Sequence, residues 1–89
     1  MLEIVQSSRF KRDIKKARKQ GKPLEELQSI IKMLVQQKPL PKKHQDHNLS
    51  GDHVNYRECH IRPDWLLIYK TTDKDLQLVR AGSHSELFR

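Results

Sequence analysis

Five histidines in 89 residues, His44, His47, His53, His60 and His84, are the first chemistry this chain offers. An imidazole titrates near pH ~6.5, so one copy can accept a proton while another donates one. RNA asks least of such a pair, because its 2′-hydroxyl is a built-in nucleophile. A base for that hydroxyl, an acid for the departing 5′-oxygen and a cation for the phosphorane suffice without a metal. His60, Asp64 and His84 are of the first two types and Arg80 of the third. Trp65, Tyr56, Tyr69 and Phe88 are candidates to stack on unpaired bases.

Each of these residues also has a plainer use. A histidine in a basic protein is usually a surface residue, the aromatics are by default core, and Asp64 after Pro63 suits a turn. Zinc competes for histidines, and His44 and His47 are spaced H-x-x-H. With one cysteine, Cys59, and no second compact pair, the chain lacks a structural zinc signature, and no metal is expected. No P-loop, glycine-rich dinucleotide turn or serine nucleophile elbow is present, so no cofactor is expected either.

Eighteen Lys and Arg against 11 Asp and Glu give a net charge of +7. An excess of that size in a short chain favours a polyanionic partner, because neutralised phosphates release counterions. An acidic protein partner fits the same charge. One cysteine excludes an internal disulfide and points to a reducing cytosol. The opening Met-Leu-Glu-Ile-Val turns polar at Gln6, too soon for a signal-peptide core, and no run approaches the ~18 apolar residues of a membrane span. A soluble cytoplasmic protein of one domain, residues 1–89, is expected.

The elements that must position the candidates follow from periodicity. Residues 2–5 read as a short strand. Ser7 or Ser8 caps a helix whose stripe is Phe10, Ile14 and Ala17, whose other faces are basic, and which stops at Gly21. Pro23 suits the first turn of a second helix with a broad apolar face from Leu24 to Val35, ended by Pro39 and Pro41. Residues 38–53 read as loop. The period then falls to two, giving strands at Val54–Ile61, Trp65–Lys70 and Asp75–Ala81, with one helical turn in the tail capped by Ser83 or Ser85. The order β-α-α-β-β-β predicts an α+β fold, two helices on an antiparallel sheet.

Hairpin arithmetic then brings distant residues together. A first turn at about Arg62-Pro63 sets His60 opposite Asp64 or Trp65. A second at about Asp73 sets Leu66 opposite Arg80 and Asp64 opposite Gly82, with His84 just beyond. His60, Asp64, His84 and Arg80 thus converge on one sheet edge. Whether they share a face depends on register, since a slip of one residue flips the set. The loop bearing His44 and His47 enters from the other end, so pattern alone leaves its reach open.

The string Asp46-His47-Asn48-Leu49-Ser50-Gly51, then Tyr56-Arg57-Glu58-Cys59-His60-Ile61-Arg62-Pro63-Asp64-Trp65-Leu66-Leu67-Ile68-Tyr69-Lys70, resembles the YafQ toxins of the RelE superfamily. The ending Arg80-Ala81-Gly82-Ser83-His84-Ser85-Glu86-Leu87-Phe88 is similar to their Arg-x-Gly-x-His-x-x-Leu-Phe tail. The likeness covers essentially the whole chain, and the three motifs are specific in combination. It implies the toxin half of a type II toxin–antitoxin module, an endoribonuclease that enters the ribosomal A site, cleaves messenger RNA and blocks translation. It further implies a cognate antitoxin of the DinJ/RelB kind, whose complex with the toxin represses their own operon, so operator DNA is met only through that complex.

The same resemblance implies a catalytic set of His47, His60, Asp64 and His84, with Phe88 also at the site. His84 is then the leading candidate for the general acid, and the other three share the base and orienting work. Arg80 is expected to stabilise phosphate and Trp65 to support the site. Glu58 stands where some relatives carry aspartate, which keeps the charge and changes its reach. Lys15, Lys16 and Lys19 on the first helix are expected to dock ribosomal RNA. His44 and His53 match no functional position and are read as surface residues. The alternatives are a ParE-like toxin that poisons gyrase, which would not need His60, Asp64 or His84, and a non-catalytic RNA- or ribosome-binding module.

Overall fold

The start of the first helix is tied to the far end of the chain. The Ser7 hydroxyl accepts from the Phe10 amide at 3.0 Å and donates to the Val79 carbonyl at 2.7 Å. Both structures that follow, helix and sheet, thus share one cap. The computed structural model describes residues 1–49 and 55–88, and His53 and the start of the expected strand at Val54 lie outside them. In order the elements are β1 (Glu3–Gln6), α1 (Ser8–Lys19), α2 (Leu24–Val35), a 3-10 turn (Lys42–His44), β2 (His47–Asn48), β3 (Arg57–Arg62), β4 (Trp65–Thr71), β5 (Asp75–Gly82) and α3 (His84–Leu87).

Two helix ends reverse the chain in the same way. After α1 the Gly21 amide donates to Arg18 and the Lys22 amide to Ala17, with Gly21 at φ +73°. After α2 the same pair of bonds runs from Gln37 to Leu34 and from Lys38 to Met33, with Gln37 at φ +59°. The second helix therefore stops before Pro39, on a left-handed residue that is not glycine.

The sheet order is β1-β5-β4-β3-β2. It is mixed, where the sequence suggested antiparallel pairing throughout: β1 runs parallel to β5. The reason is a count of reversals. Three antiparallel strands in succession leave β5 pointing as β3 does, and the edge left for β1 lies alongside it. One stretch read as loop also holds a strand, because β2 pairs with β3, His47 opposite Glu58.

The helices cover one face of the sheet. Phe10, Ala17, Leu27, Ile30 and Leu34 pack there against Cys59, Ile61, Trp65, Leu67, Tyr69, Leu76, Leu78 and Ala81. Each large apolar side chain so buried contributes about 1.5–3 kcal/mol. Leu66 and Ile68 alternate to the other face and are buried as well, at 0% and 5% exposure. Among the described residues no helix is long and apolar enough to cross a membrane.

Two bulges set the register that matters. His60 pairs with Leu66 while Arg62 pairs with Trp65, so Pro63 and Asp64 form the turn. Leu66 pairs with Gly82 and Ile68 with Arg80, with a shift at Val79. The expected partners, Arg80 for Leu66 and Asp64 or Trp65 for His60, are thus displaced. For His60 the displacement comes from the turn, which falls at Pro63-Asp64 and not at Arg62-Pro63. For Arg80 the extra residue at Val79 adds to a turn centred beyond Asp73, and no residue type announces either.

Candidate active site

The corrected register builds a row across the outer face of the sheet: His60, Leu66, Gly82. A parallel row behind it reads Glu58, Ile68, Arg80. At the end of the first row β5 stops and Ser83 caps α3, its hydroxyl accepting from the Glu86 amide while the Glu86 carboxylate accepts from the Ser83 amide at 2.9 Å. This capping box satisfies two amides that the helix start leaves free. It also aims His84, whose ring stands 5.8 Å from that of His60 and 6.0 Å from that of Phe88.

Asp64, in the β3–β4 turn, accepts from the His84 amide at 3.1 Å, and its Oδ1 lies 3.4 Å from His84 Nδ1. The amide bond above all, then the imidazole, holds the Asp64 carboxyl below its usual range although it is largely exposed. A carboxylate only accepts, so Nδ1 is the ring nitrogen through which His84 donates to Asp64.

On the other side of His60 the second row supplies Glu58, 5% exposed. Its Oε1 lies 3.6 Å from His60 Nε2 and 3.6 Å from His47 Nε2. The Nδ1 of His47 donates to the Gln45 carbonyl at 2.6 Å, which leaves Nε2 as the ring nitrogen that faces Glu58. His47, Glu58, His60, His84 and Asp64 therefore form one unbroken chain of titratable groups. The hairpin arithmetic could not reach His47, because its strand has two residues and pairs with β3 alone.

Three residues that the sequence did not single out hold this chain in place. The Asp46 carboxylate accepts from the Tyr69 hydroxyl at 2.5 Å and from Arg57 Nε at 3.2 Å, while Arg57 Nη1 donates to Asn48 at 2.7 Å. Both neighbours of His47 are thereby pinned. Tyr69 is buried in the helix-side core, so it braces this loop and does not stack on a base; burial and the Asp46 carboxylate push its phenol up. His44, read as a surface residue, is half-buried and bonds the His60 carbonyl through Nδ1 at 2.7 Å. A hollow of about 380 Å³ opens there, lined by Glu26, His44, His60 and Arg62 among others.

Other expected participants lie elsewhere. Trp65 is on the helix side of β4, 2% exposed, with Lys22 Nζ 5.5 Å above its ring, so it supports the sheet from behind. Arg80 shares the histidine face, and its fork is engaged by Asp13 on α1, Nε to Oδ2 at 2.8 Å and Nη2 to Oδ1 at 3.2 Å. Asp13 is the lone acid in α1, which was the available signal. Lys15, Lys16 and Lys19 are exposed on the same helix, and Lys16 pairs with Glu86 of the capping box. Phe88 is 42% exposed at the rim. Tyr56 is half-buried, with Lys70 Nζ 5.8 Å above its ring.

Residues 2–89 match the sequence model of a family described as the bacterial toxin of type II toxin–antitoxin system, YafQ. The mRNA interferase toxin YafQ of Escherichia coli K12 is 40% identical over 87 residues, 97% of this chain and 95% of that one. The E. coli toxin in the crystal structure of the DinJ–YafQ toxin–antitoxin complex superposes with a TM-score of 0.92 at 39% identity, covering 99% and 98% of the two chains. A metal-bound toxin from Helicobacter pylori superposes at 0.94 with 43% identity, covering 99% and 100%.

Proposed function

The chain belongs to the YafQ family of bacterial toxins of type II toxin–antitoxin systems and is an mRNA interferase, an endoribonuclease; from that premise we propose how it cuts. The reaction is metal-independent transfer of the phosphoryl group to the RNA 2′-oxygen, carried out on the ribosome. The observation that carries this reading is the contiguous chain His47–Glu58–His60–His84–Asp64.

His47 or His60, each beside the buried Glu58 carboxylate, takes the 2′-hydroxyl proton. As the 2′-oxygen attacks, the bond from phosphorus to the 5′-oxygen breaks, and His84 as the imidazolium, its Nδ1–H held to Asp64, gives that oxygen the proton on Nε2. Asp64 orients His84 by engaging its amide and Nδ1. Arg80 faces the developing phosphorane charge from the second row with the nitrogen that Asp13 leaves free. Phe88 stacks on a base or sugar at the rim. No step needs a redox partner or a bound ion, because the nucleophile belongs to the substrate.

Partners follow from charge and kinship. The basic face of α1, with Lys15 and Lys19 exposed, docks ribosomal RNA, and a cytoplasmic antitoxin of the DinJ/RelB kind neutralises the toxin, as DinJ is bound to the E. coli relative. The test is messenger cleavage in a purified translation system, with a chelator selective for transition metals that leaves the ribosomes' magnesium in place. His84→Gln should lower the cleavage rate of bound RNA by about 10²–10⁴ with ribosome binding retained. Gyrase inhibition without cleavage, or loss of activity on chelation alone, would overturn the proposal.

A further inference from the structure

Beside the histidine site, a second hollow of about 280 Å³ is lined by Arg9, Arg12, Asp13 and Arg80. Its one carboxylate is fully engaged. Asp13 takes Nε and Nη2 of Arg80 and also the Ala81 amide at 3.0 Å, on the stretch of β5 that β1, ending opposite Leu78, leaves uncovered. Asp13 therefore fixes Arg80 in one orientation and does not neutralise the others. The side chains of Arg9 and Arg12 make no ion pair or hydrogen bond among the described residues. Three guanidiniums less one carboxylate leave +2 around the hollow.

That placement works against folding. Arg9 and Arg12 sit in the opening turns of α1, which carries no acid in its first turn, where the helix dipole disfavours cations. They are also three residues apart on one helix, where like charges repel. An anion in the hollow relieves both strains, and guanidinium forks match the oxygens of a phosphate. The hollow is also near the chemistry. Arg80 lies one row behind Gly82, and Gly82 shares its row with His60; two residues of strand span about 7 Å.

We propose that Arg9 and Arg12, with Arg80 on the border between this hollow and the histidine row, form a subsite for the phosphodiester next to the one being cleaved, holding the RNA backbone in line with the histidines. This inference rests on the endoribonuclease reading, and the two fail separately. The RNA is held there without regard to sequence, since a phosphate carries none.

The test is binding of the full-length protein to a short single-stranded RNA made uncleavable by 2′-O-methyl groups, read by anisotropy across a salt series. Arg9→Gln with Arg12→Gln should weaken binding about tenfold or more and reduce the slope of log affinity against log salt by about 1.4, two contacts at ~0.7 each. Lys38→Gln with Lys74→Gln removes the same two charges far from the hollow and should stay within about twofold of wild type. Neutral methylphosphonates stepped along the RNA should weaken wild-type binding at one position near the cleavage site and have no further effect there in the arginine variant. Equal weakening in both double variants, an unchanged salt slope, or methylphosphonate effects that persist at every position would overturn the subsite. A wild-type protein that binds in this pattern yet cuts no messenger would overturn the nuclease reading and leave the subsite standing.

Discussion

Removing one hydroxyl, in Ser83→Ala, should impair cleavage without unfolding the protein. α3 has four residues and buries none of them, and a helix that short has no stability of its own. It is held by the capping box, the Lys16–Glu86 pair and the bond from the His84 amide to Asp64. The lost N-cap bond is worth about 1 kcal/mol, or roughly a fivefold shift in the local equilibrium between docked and frayed α3. Because His84 opens this helix and Phe88 closes it, fraying removes the proposed acid from the site. Single-turnover cleavage of bound RNA should fall by at most about fivefold, the full shift showing where docking of α3 is marginal, while the melting temperature moves by less than about 2 °C, since fraying is a local event. Glu86 sets the pH range over which the cap persists. Lys16 first, and the Ser83 amide next, lower its carboxyl from 4.5 to about 2. A depressed acid contributes stability that is complete above its unfolded value and is lost as pH falls through 2. From pH 5 upward the cap is therefore constant, and an activity change there does not come from Glu86. A drop of several degrees in melting temperature with unchanged cleavage would refute the reasoning, because α3 would then be part of the core and irrelevant to the chemistry.

Two further outcomes test the supports. Tyr69→Phe deletes the 2.5 Å bond to Asp46 and should destabilise the fold by about 1–2 kcal/mol and slow cleavage; in a His47→Ala background it should have no further effect on cleavage, and independent, multiplying effects would show that the Tyr69–Asp46 brace does not act through His47. Gln37→Gly should raise stability by up to about 1 kcal/mol, because Gln37 sits at φ +59° where a Cβ is disfavoured; thermal melts should show a rise of a few degrees, and a fall would mean its side chain has a role that the backbone argument omits.

Much of this architecture was legible in the sequence, and the gaps have physical causes. The stripe Phe10, Ile14, Ala17 and the two-residue period read from Val54 onward are local signals. Among the described residues the two long helices stand where those signals put them, and the strands β3 to β5 begin or end within a few residues of them. Register is not local. The shift at Val79 is a single extra residue among β-forming neighbours, and together with a β4–β5 turn centred half a residue beyond Asp73 it moves Arg80 from opposite Leu66 to opposite Ile68. The parallel pairing of β1 depends on which edge is open once the other strands have met. Glu58 is a carboxylate buried at 5% exposure, and its burial, which calls for a partner, shows only in the fold. That the partners are His60, two residues on, and His47, eleven residues back, appears only when β2 pairs with β3. Asp13 and Asp46 were visible as acids in basic surroundings, yet their roles depend on contacts 67 and 23 residues away.

The site divides into halves held by different means, and this decides how substitutions there can be read. Glu58 and His60 stand within β3, between β2 and β4, with side chains 6% and 15% exposed. His84 and Asp64 stand on a four-residue helix and a two-residue turn, 56% and 73% exposed. Changing Glu58 therefore perturbs a buried carboxylate with two imidazole neighbours, so stability and chemistry change together. Changing His84 or Asp64 touches little packing, so a kinetic effect there belongs to proton transfer or to the docking of α3. Those two causes separate by comparison with Ser83→Ala, which frays α3 and leaves both titratable groups intact. A loss at His84 much larger than fivefold exceeds what undocking the helix accounts for, and the excess is the contribution of the imidazole itself.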